Sequence, residues 1–310
     1  MEEVSTQNPY HIPALLGPTT EGLDIKKAGI YADATFGGGG HSRAILGELG
    51  PEGHLYGFDR DIDARTNAID DPRFTFVHSD FRYMPNFLRF YDTLPIDGVV
   101  ADLGVSFHHF DDASRGFSFR ADAPLDMRMN RSGALTAAHI VNTYDERQLA
   151  RIFSLYGDIK RPMPLVRAII AARQQSPVCT TGRLLEIVSP FASPRQEKKD
   201  LARIFQALRI EVNDETSSLR ALLEALPRIL RPGGRAAIIT YHSLEDRLVK
   251  NYFRAGNAEG TADKDFYGRV NSPWKLITRS PITADKQEVD SNPRSRSAKL
   301  RVAELADSHR

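Results

Sequence analysis

Short apolar runs alternate with amphipathic ones over the first hundred residues. Residues 29–35 (G-I-Y-A-D-A-T), 54–59 (H-L-Y-G-F-D), 74–78 (F-T-F-V-H) and 97–103 (D-G-V-V-A-D-L) are too short for helices and too apolar for loops. They read as buried strands. Between the first two, residues 42–49 carry Ala44, Ile45 and Leu49 on one side of a predicted helix, and 62–69 reads as a shorter one. Buried strands separated by helices predict a parallel sheet covered on both faces, an α/β fold.

The next strand-like run, 235–241 (R-A-A-I-I-T-Y), follows a turn signal R-P-G-G at 231–234. The gap from 103 to 235 is far longer than one crossover helix requires. Within it, 137–156, 164–174 and 182–191 carry apolar residues at three- and four-residue spacing, and 201–230 reads as one or two long amphipathic helices. The pattern predicts a helical insertion at 112–204, which splits the α/β domain into 1–111 and 205–310. Residues 255–265 and 291–297 are polar and read as loops, while 274–278 and 300–303 are candidate closing strands. No internal repeat is visible.

Charge changes this picture little. Lys plus Arg (41) and Asp plus Glu (40) nearly cancel, so net charge argues neither for nor against a nucleic-acid partner. Arg115, Arg120, Arg128, Arg131, Arg161, Arg195, Lys198 and Lys199 make the insertion locally basic, which suits a solvated surface or an RNA contact equally. The single cysteine, Cys179, allows neither an internal disulfide nor a multi-cysteine metal site, and fits a reducing cytosol. The start, M-E-E-V-S-T-Q-N-P, is acidic and polar, unlike a signal peptide. No apolar run approaches the ~20 residues of a membrane span. A cytoplasmic protein with no membrane partner is expected.

Candidate chemistry gathers at the strand ends. D-A-T-F-G-G-G-G-H-S (33–42) ends the first strand and opens a helix, the position where open parallel sheets bind ligands. The dinucleotide fingerprint is not met, because from Gly37 the third glycine position is Ser42. The loop is either a turn that starts a helix or backbone kept bare for a ligand. Asp59, at the second strand's tip, suits a ribose diol or a helix cap. Phe81, after the third strand, suits a stacked base or the core. Asp102 ends the fourth strand, ahead of His108 and His109. Adjacent histidines rarely face one ion and no spaced pair completes a ligand set, so no metal is expected. After the fifth strand, Ser243 with Asp246 fits a capping box, and the G-x-S-x-G elbow of serine hydrolases is absent.

Several stretches together resemble the bacterial 16S rRNA (cytosine-N4) methyltransferase family. They are D-A-T-F-G-G-G-G-H-S (33–42), F-D-R-D (58–61), D-L-G-V-S (102–106), R-G-F-S-F-R-A-D-A-P-L-D-M-R-M (115–129), F-Q-A-L-R-I-E-V-N (205–213), P-G-G-R-A-A-I-I-T-Y-H-S-L-E-D-R-L-V-K (232–250) and N-P-R-S-R-S-A-K-L-R (292–301). Y-H-I-P-A-L-L (10–16) also resembles that family's entry into the fold. The resemblance implies a Rossmann-like class I S-adenosylmethionine (SAM) methyltransferase sheet with an inserted all-helical domain that serves rRNA recognition. It implies SAM-dependent methylation of the exocyclic N4 of a cytidine in the decoding region (P site) of 16S rRNA, with the small ribosomal subunit as partner. Carried over by position, the SAM contacts fall on Gly39, Gly40, His41, Asp59, Phe81, Asp102 and His109; the last rests on the resemblance alone.

Departures from the family pattern are local. Ala34 stands where a glycine is common, Phe107 where a second serine is, and His109 where a glutamine often is. In the insertion, Gly157-Asp158-Ile159 and Asp200-Leu201-Ala202 replace G-E-E and H-P-A, which bears on substrate docking rather than on the reaction.

Cytosine N4 is a weak nucleophile, because its lone pair is delocalised into the ring. A hydrogen-bond acceptor that localises this lone pair, together with alignment on the methyl group, is the help an enzyme can give. Asp102 is the first candidate for that role, with Ser106 and His242 as alternatives. Methylation at C5 would need a cysteine nucleophile, and Cys179 lies far in sequence from the fourth strand's tip. Two other readings stay open: a catalytically inactive rRNA-binding or ribosome-assembly factor, and a nicotinamide-dependent oxidoreductase. The chain is expected to act as a monomer or homodimer.

Overall fold

The computed structural model describes residues 13–104, 112–263, 266 and 271–307. The chain divides into two units, Met1–Gly104 with Ser217–Arg310, and Val105–Thr216. These limits lie outside the 112–204 read from the sequence. The strands are β1 (Ile30–Asp33), β2 (His54–Asp59), β3 (Phe74–His78), β4 (Ile96–Asp102), β5 (Leu230–Thr240), β6 (Trp274–Leu276), β7 (Ile282–Thr283) and β8 (Lys299–Leu305). The helices are α1 (Leu16–Leu23), α2 (Gly40–Glu48), α3 (Met84–Phe90), α4 (Ala137–Thr143), α5 (Glu146–Leu155), α6 (Met163–Gln175), α7 (Thr181–Val188), α8 (Glu197–Asn213), α9 (Glu215–Ile229), α10 (Ser243–Ala255) and α11 (Lys286–Ser291).

Among the described residues the eight strands form one sheet in the first unit, in the order β3-β2-β1-β4-β5-β8-β6, with β7 also on β8. β1 to β5 run parallel, and β8 is antiparallel to β5, β6 and β7. β1 lies between β2 and β4, so strand order reverses there, and a crevice at the carboxyl ends of these strands is the expected ligand site.

Burial explains why the central strands read as unbroken apolar runs. Val99 and Ala101 of β4 and Ala236 and Ile238 of β5 pack on one face with residues of α3, α9 and α10. Val100, Ala237 and Ile239 pack on the other with residues of α1 and α2. Side chains alternate faces at every residue, and both faces are apolar because both are covered.

The R-P-G-G signal marks a bulge inside β5 rather than a turn before it. Ile96 pairs with Leu230 and Gly98 with Arg235, so 231–234 loop out opposite Asp97. Asp97, almost fully buried, accepts from the amide of Ile30 at 2.9 Å and lies 3.4 Å from both Lys26 and Arg231. It thereby ties the start of β1 to β4. Four short elements were not foreseen, α1, α3, α11 and β7. The polar run at 291–297, expected as a loop, contains a 3-10 turn at Pro293–Ser297.

The second unit is helical. The 137–156 pattern is two helices, because Asp145 starts α5 with a full capping box, its side chain and that of Gln148 each bonding the other's backbone. The 201–230 pattern breaks at Asp214, which turns left-handed (φ 48°). α8 then contributes Leu201, Ile204, Phe205 and Leu208 to a core with α4–α7. α9 contributes Leu219, Leu222, Leu223 and Leu226 to the sheet core.

The 115–129 block has internal reasons for its unusual residues. Arg115 is buried, and its Nη2 donates to the carbonyls of Arg128 and Met129, both at 2.9 Å. Asn213 accepts from the amide of Met129 at 2.7 Å and donates to the carbonyl of Met127 at 2.8 Å. Gly116 has φ 70°, and a Cβ there would stand 2.2 Å from the carbonyl oxygen of Pro124.

Candidate active site

The carboxyl ends of β1, β2 and β4 form a connected polar network. β1 ends in Asp33, buried among apolar strands but met by two donors, the Ser42 hydroxyl at 2.7 Å and the Thr35 amide at 3.0 Å. Burial pushes its carboxyl above the ordinary value, while His41, Ser42 and the Thr35 amide pull the other way. Thr35 also reaches β4, its hydroxyl accepting from the Asp102 amide at 2.6 Å.

Asp102 is held on its other side by β5. The Tyr241 hydroxyl donates to Asp102 Oδ1 at 2.8 Å. Burial first, and then the Asp102 carboxylate, push the Tyr241 phenol well above its ordinary value, so it remains a donor. Asp102 Oδ2 faces His41 Nε2 at 3.5 Å, an ion-pair distance rather than a hydrogen bond. His41 is 5% exposed, and neither ring nitrogen has a hydrogen-bond partner among the described residues. Its burial disfavours the imidazolium, but Asp102 and Asp33 together outweigh it and hold the pKa above the ordinary 6.5.

The glycine loop is pinned to the tip of β2. Asp59 Oδ2 accepts from the Gly37 amide and Oδ1 from the Asp61 amide, both at 2.8 Å. Asn67 Nδ2 donates to the Gly37 carbonyl at 3.0 Å. Two of the four glycines have clear internal causes. Gly39 turns left-handed before α2 (φ 76°), where a side chain would strike Phe36 and Arg43; a Cβ on Gly40 would stand 2.7 Å from Pro13. The loop therefore needs bare backbone whether or not a ligand lies against it.

Beyond β3, Phe81 is half-buried against the sheet core with the Arg60 guanidinium 5.9 Å from its ring centre. The core packing agrees with the second of its two readings, and the Arg60 guanidinium over the ring adds a cation–π contact. Asp80 beside it is gripped by Arg60, Arg82 and the buried Ser218.

His242 caps α10, with Nε2 3.0 Å from Glu245 Oε1. The cap is one residue earlier than the Ser243–Asp246 box expected; Asp246 instead pairs with Arg301 at 2.7 Å and Lys299 at 3.3 Å. Ser106 and His109 lie outside the described residues. Sequence reasoning missed Asp33, Thr35 and the Tyr241 donor. An acid closing an apolar strand was a visible signal for Asp33, whereas Tyr241 meets Asp102 only through the β4–β5 register.

The eight most basic candidates in the insertion separate by partner. Arg115 is internal, Arg128 pairs with Asp126 and Arg131 with Asp112. Arg120, Arg161, Arg195, Lys198 and Lys199 are exposed and make no ion pair among the described residues.

Comparison with known proteins places these features in context. A family model described as the MraW methylase family matches residues 8–306. The ribosomal RNA small subunit methyltransferase H of Phocaeicola vulgatus is 55% identical over 295 residues, covering 95% of this chain and 97% of that protein. The protein of that name from Parabacteroides distasonis is 56% identical over 296 residues, again 95% of this chain and 97% of the relative.

Proposed function

Because the chain belongs to the MraW methylase family, we propose that it transfers the methyl group of SAM to the exocyclic N4 of a cytidine in the decoding region (P site) of 16S rRNA. The small ribosomal subunit is its partner, and the cytoplasm is where it meets that partner. The relatives are named methyltransferases, which leaves neither an inactive assembly factor nor a nicotinamide oxidoreductase favoured. The observation that carries the site assignment is the Asp102 carboxylate at the switch-point strand end, fixed by Tyr241 and, through its amide, by Thr35.

The chain's residues fit SAM. His41 offers buried ring nitrogens that want a polar partner. Asp59 places a carboxylate at the β2 tip beside the glycine loop, where it accepts the Gly37 and Asp61 amides. Gly39, Gly40, His41, Asp59, Phe81, Asp102 and His109 are the residues we assign to holding it. Bound SAM supplies an electrophilic methyl group on a cationic sulfur. No covalent protein nucleophile is needed.

Asp102 then has the work of the acceptor. Its Oδ1 is committed to Tyr241, so we assign Oδ2 to the N4 amino hydrogen, which localises the amine lone pair for attack. Oδ2 is also the base that takes the proton N4 sheds. His41, whose burial disfavours the charged ring but which Asp102 and Asp33 shift toward it, stands 3.5 Å from Oδ2. Orienting the amine contributes on the order of 7–11 kcal/mol to lowering the barrier. The exposed cations Arg120, Arg161, Arg195, Lys198 and Lys199 support rRNA recognition by the inserted helical domain (112–204). Ser106 and His242 remain the alternatives for the acceptor role, although His242 is engaged by Glu245.

The test is tritiated methyl transfer from SAM to small subunits of cells lacking this protein, with mass spectrometry of the product nucleoside. Asp102→Asn keeps an acceptor for Tyr241 but loses the base, and kcat should fall on the order of 10²- to 10⁴-fold. Transfer at the wild-type rate would remove Asp102 from this role.

A further inference from the structure

Beside the reacting carboxylate, at the end of β5, lies a cavity of about 260 Å³ lined in part by Tyr241, Ser243, Thr283, Arg296, Ser297 and Lys299. It is smaller than the ~300–1,000 Å³ typical of small-molecule sites and large enough for a solvated phosphate, since a water occupies about 30 Å³. No acid lines it. Arg296 is exposed and has no ion-pair or hydrogen-bond partner among the described residues. Lys299 has one, Asp246 at 3.3 Å, but that carboxylate is shared with Arg301 at 2.7 Å, so two cations face one anion.

Two further observations point the same way. The cavity sits at the start of α10, a 13-residue helix. Among the described residues the Ser243 and Leu244 amides have no acceptor, because the His242 cap takes the Glu245 and Asp246 amides. The hydroxyls of Ser243, Ser297 and Thr283 add donors with no hydrogen-bond partner of their own among these residues. Besides Asp246 on Lys299 and Asp102 on Tyr241, the nearby acids are Glu245 and Glu288. Glu245 accepts from the Tyr241 amide and faces His242, and Glu288 accepts from the Leu15 amide. Neither lines the cavity.

We propose that this cavity holds a backbone phosphate of the RNA substrate next to the target nucleotide, with Arg296 as its principal contact and Lys299 as the second cation. The proposal rests on the reading of the function as rRNA methylation, because Tyr241 is at once a cavity wall and the donor to Asp102. A phosphate gripped on one side of Tyr241 fixes the strand whose flipped base must reach the carboxylate on the other.

Arg296→Ala tests this in steady-state transfer to small subunits lacking the methyl group. KM for the subunit should rise roughly tenfold or more, as loss of a charge-assisted contact implies, with kcat within about twofold and SAM affinity by calorimetry unchanged. The slope of log KM against log salt should fall by about one. Arg296→Lys should recover part of the loss. Ser243→Asp is the second variant: an acid in the first helical turn favours the helix, so the melting temperature should hold while KM rises. Both variants with wild-type KM and salt slope would overturn the phosphate site and leave the methyltransferase reading standing. A wild-type protein that transfers no methyl group would instead overturn that reading, and this proposal with it.

Discussion

Asp59 ends β2 and clasps the glycine loop, and removing it separates loss of that clasp from loss of the proposed ribose contact. Its carboxylate accepts amides from Gly37 and Asp61, both at 2.8 Å. Hydrogen bonds to a charged acceptor contribute about 1.5–3 kcal/mol each. The half-exposed Gly37 amide can be resolvated, so Asp59→Ala should cost about 3 kcal/mol of stability rather than the full sum. If the same carboxylate also binds the ribose diol of SAM, Kd should rise by a further roughly 10- to 150-fold.

Loop loosening alone could weaken SAM binding, and Asn67→Ala is the control. It removes a neutral hydrogen bond to the same Gly37, at 3.0 Å, worth about 1 kcal/mol, and leaves the carboxylate in place. Asp59→Asn should not rescue, because its amide can accept from one backbone N–H but turns a donor towards the other. Calorimetry with SAM and thermal melting of each variant are the assays. If Asp59→Ala weakens SAM no more than Asn67→Ala does, the ribose assignment is wrong and Asp59 is a clasp for the glycine loop.

Two further outcomes concern the frame around the site. Asp97→Ala should cost about 2–3 kcal/mol, mostly from orphaning the buried Ile30 amide, since Lys26 and Arg231 are 56% and 40% exposed and lose little; Asp97→Asn, which keeps an acceptor, should cost about 1 kcal/mol in urea denaturation. His41 holds its proton above pH 6.5 in the folded protein because Asp102 and Asp33 outweigh its burial. The folded form then binds more protons than the unfolded one, so this stabilisation is complete below pH 6.5 and is lost as pH rises through the folded value. His41→Gln should flatten the fall of melting temperature above pH 6.5, and an unchanged slope would show that the ring is neutral.

The sheet was legible because a parallel strand buried on both faces has no polar alternation to confuse it. β2 and β3 begin and end where their apolar runs do. Helix ends were less legible, because they depend on single residues: Asp145 capping α5 and Asp214 turning left-handed after α8 broke patterns that read as continuous. α3 escaped notice for a related reason. It is seven residues long, with Met84 and Leu88 buried but Phe90 80% exposed, too short and mixed for a clear period.

Within the site, residues with a local signature were readable and those defined by long-range contact were not. Asp59 and Asp102 end apolar runs, and a strand-tip acid needs no knowledge of its neighbours. Tyr241 is separated from Asp102 by 139 positions. Their contact follows only once β4 and β5 are known to be adjacent and in register, Asp102 beside Ile239. The long gap between those strands hides that register from sequence reading but does little to weaken it, since loop-closure entropy grows only logarithmically with length. The first unit ends at Gly104 and resumes at Ser217, directly after the Asp102 tip, and β5 still pairs along β4. A sheet that accommodates so long an insertion after β4 keeps Asp102 and its tyrosine donor on adjacent, paired strand ends. The insertion point, directly after the Asp102 tip, therefore leaves the β4–β5 pairing that brings Tyr241 to Asp102 intact.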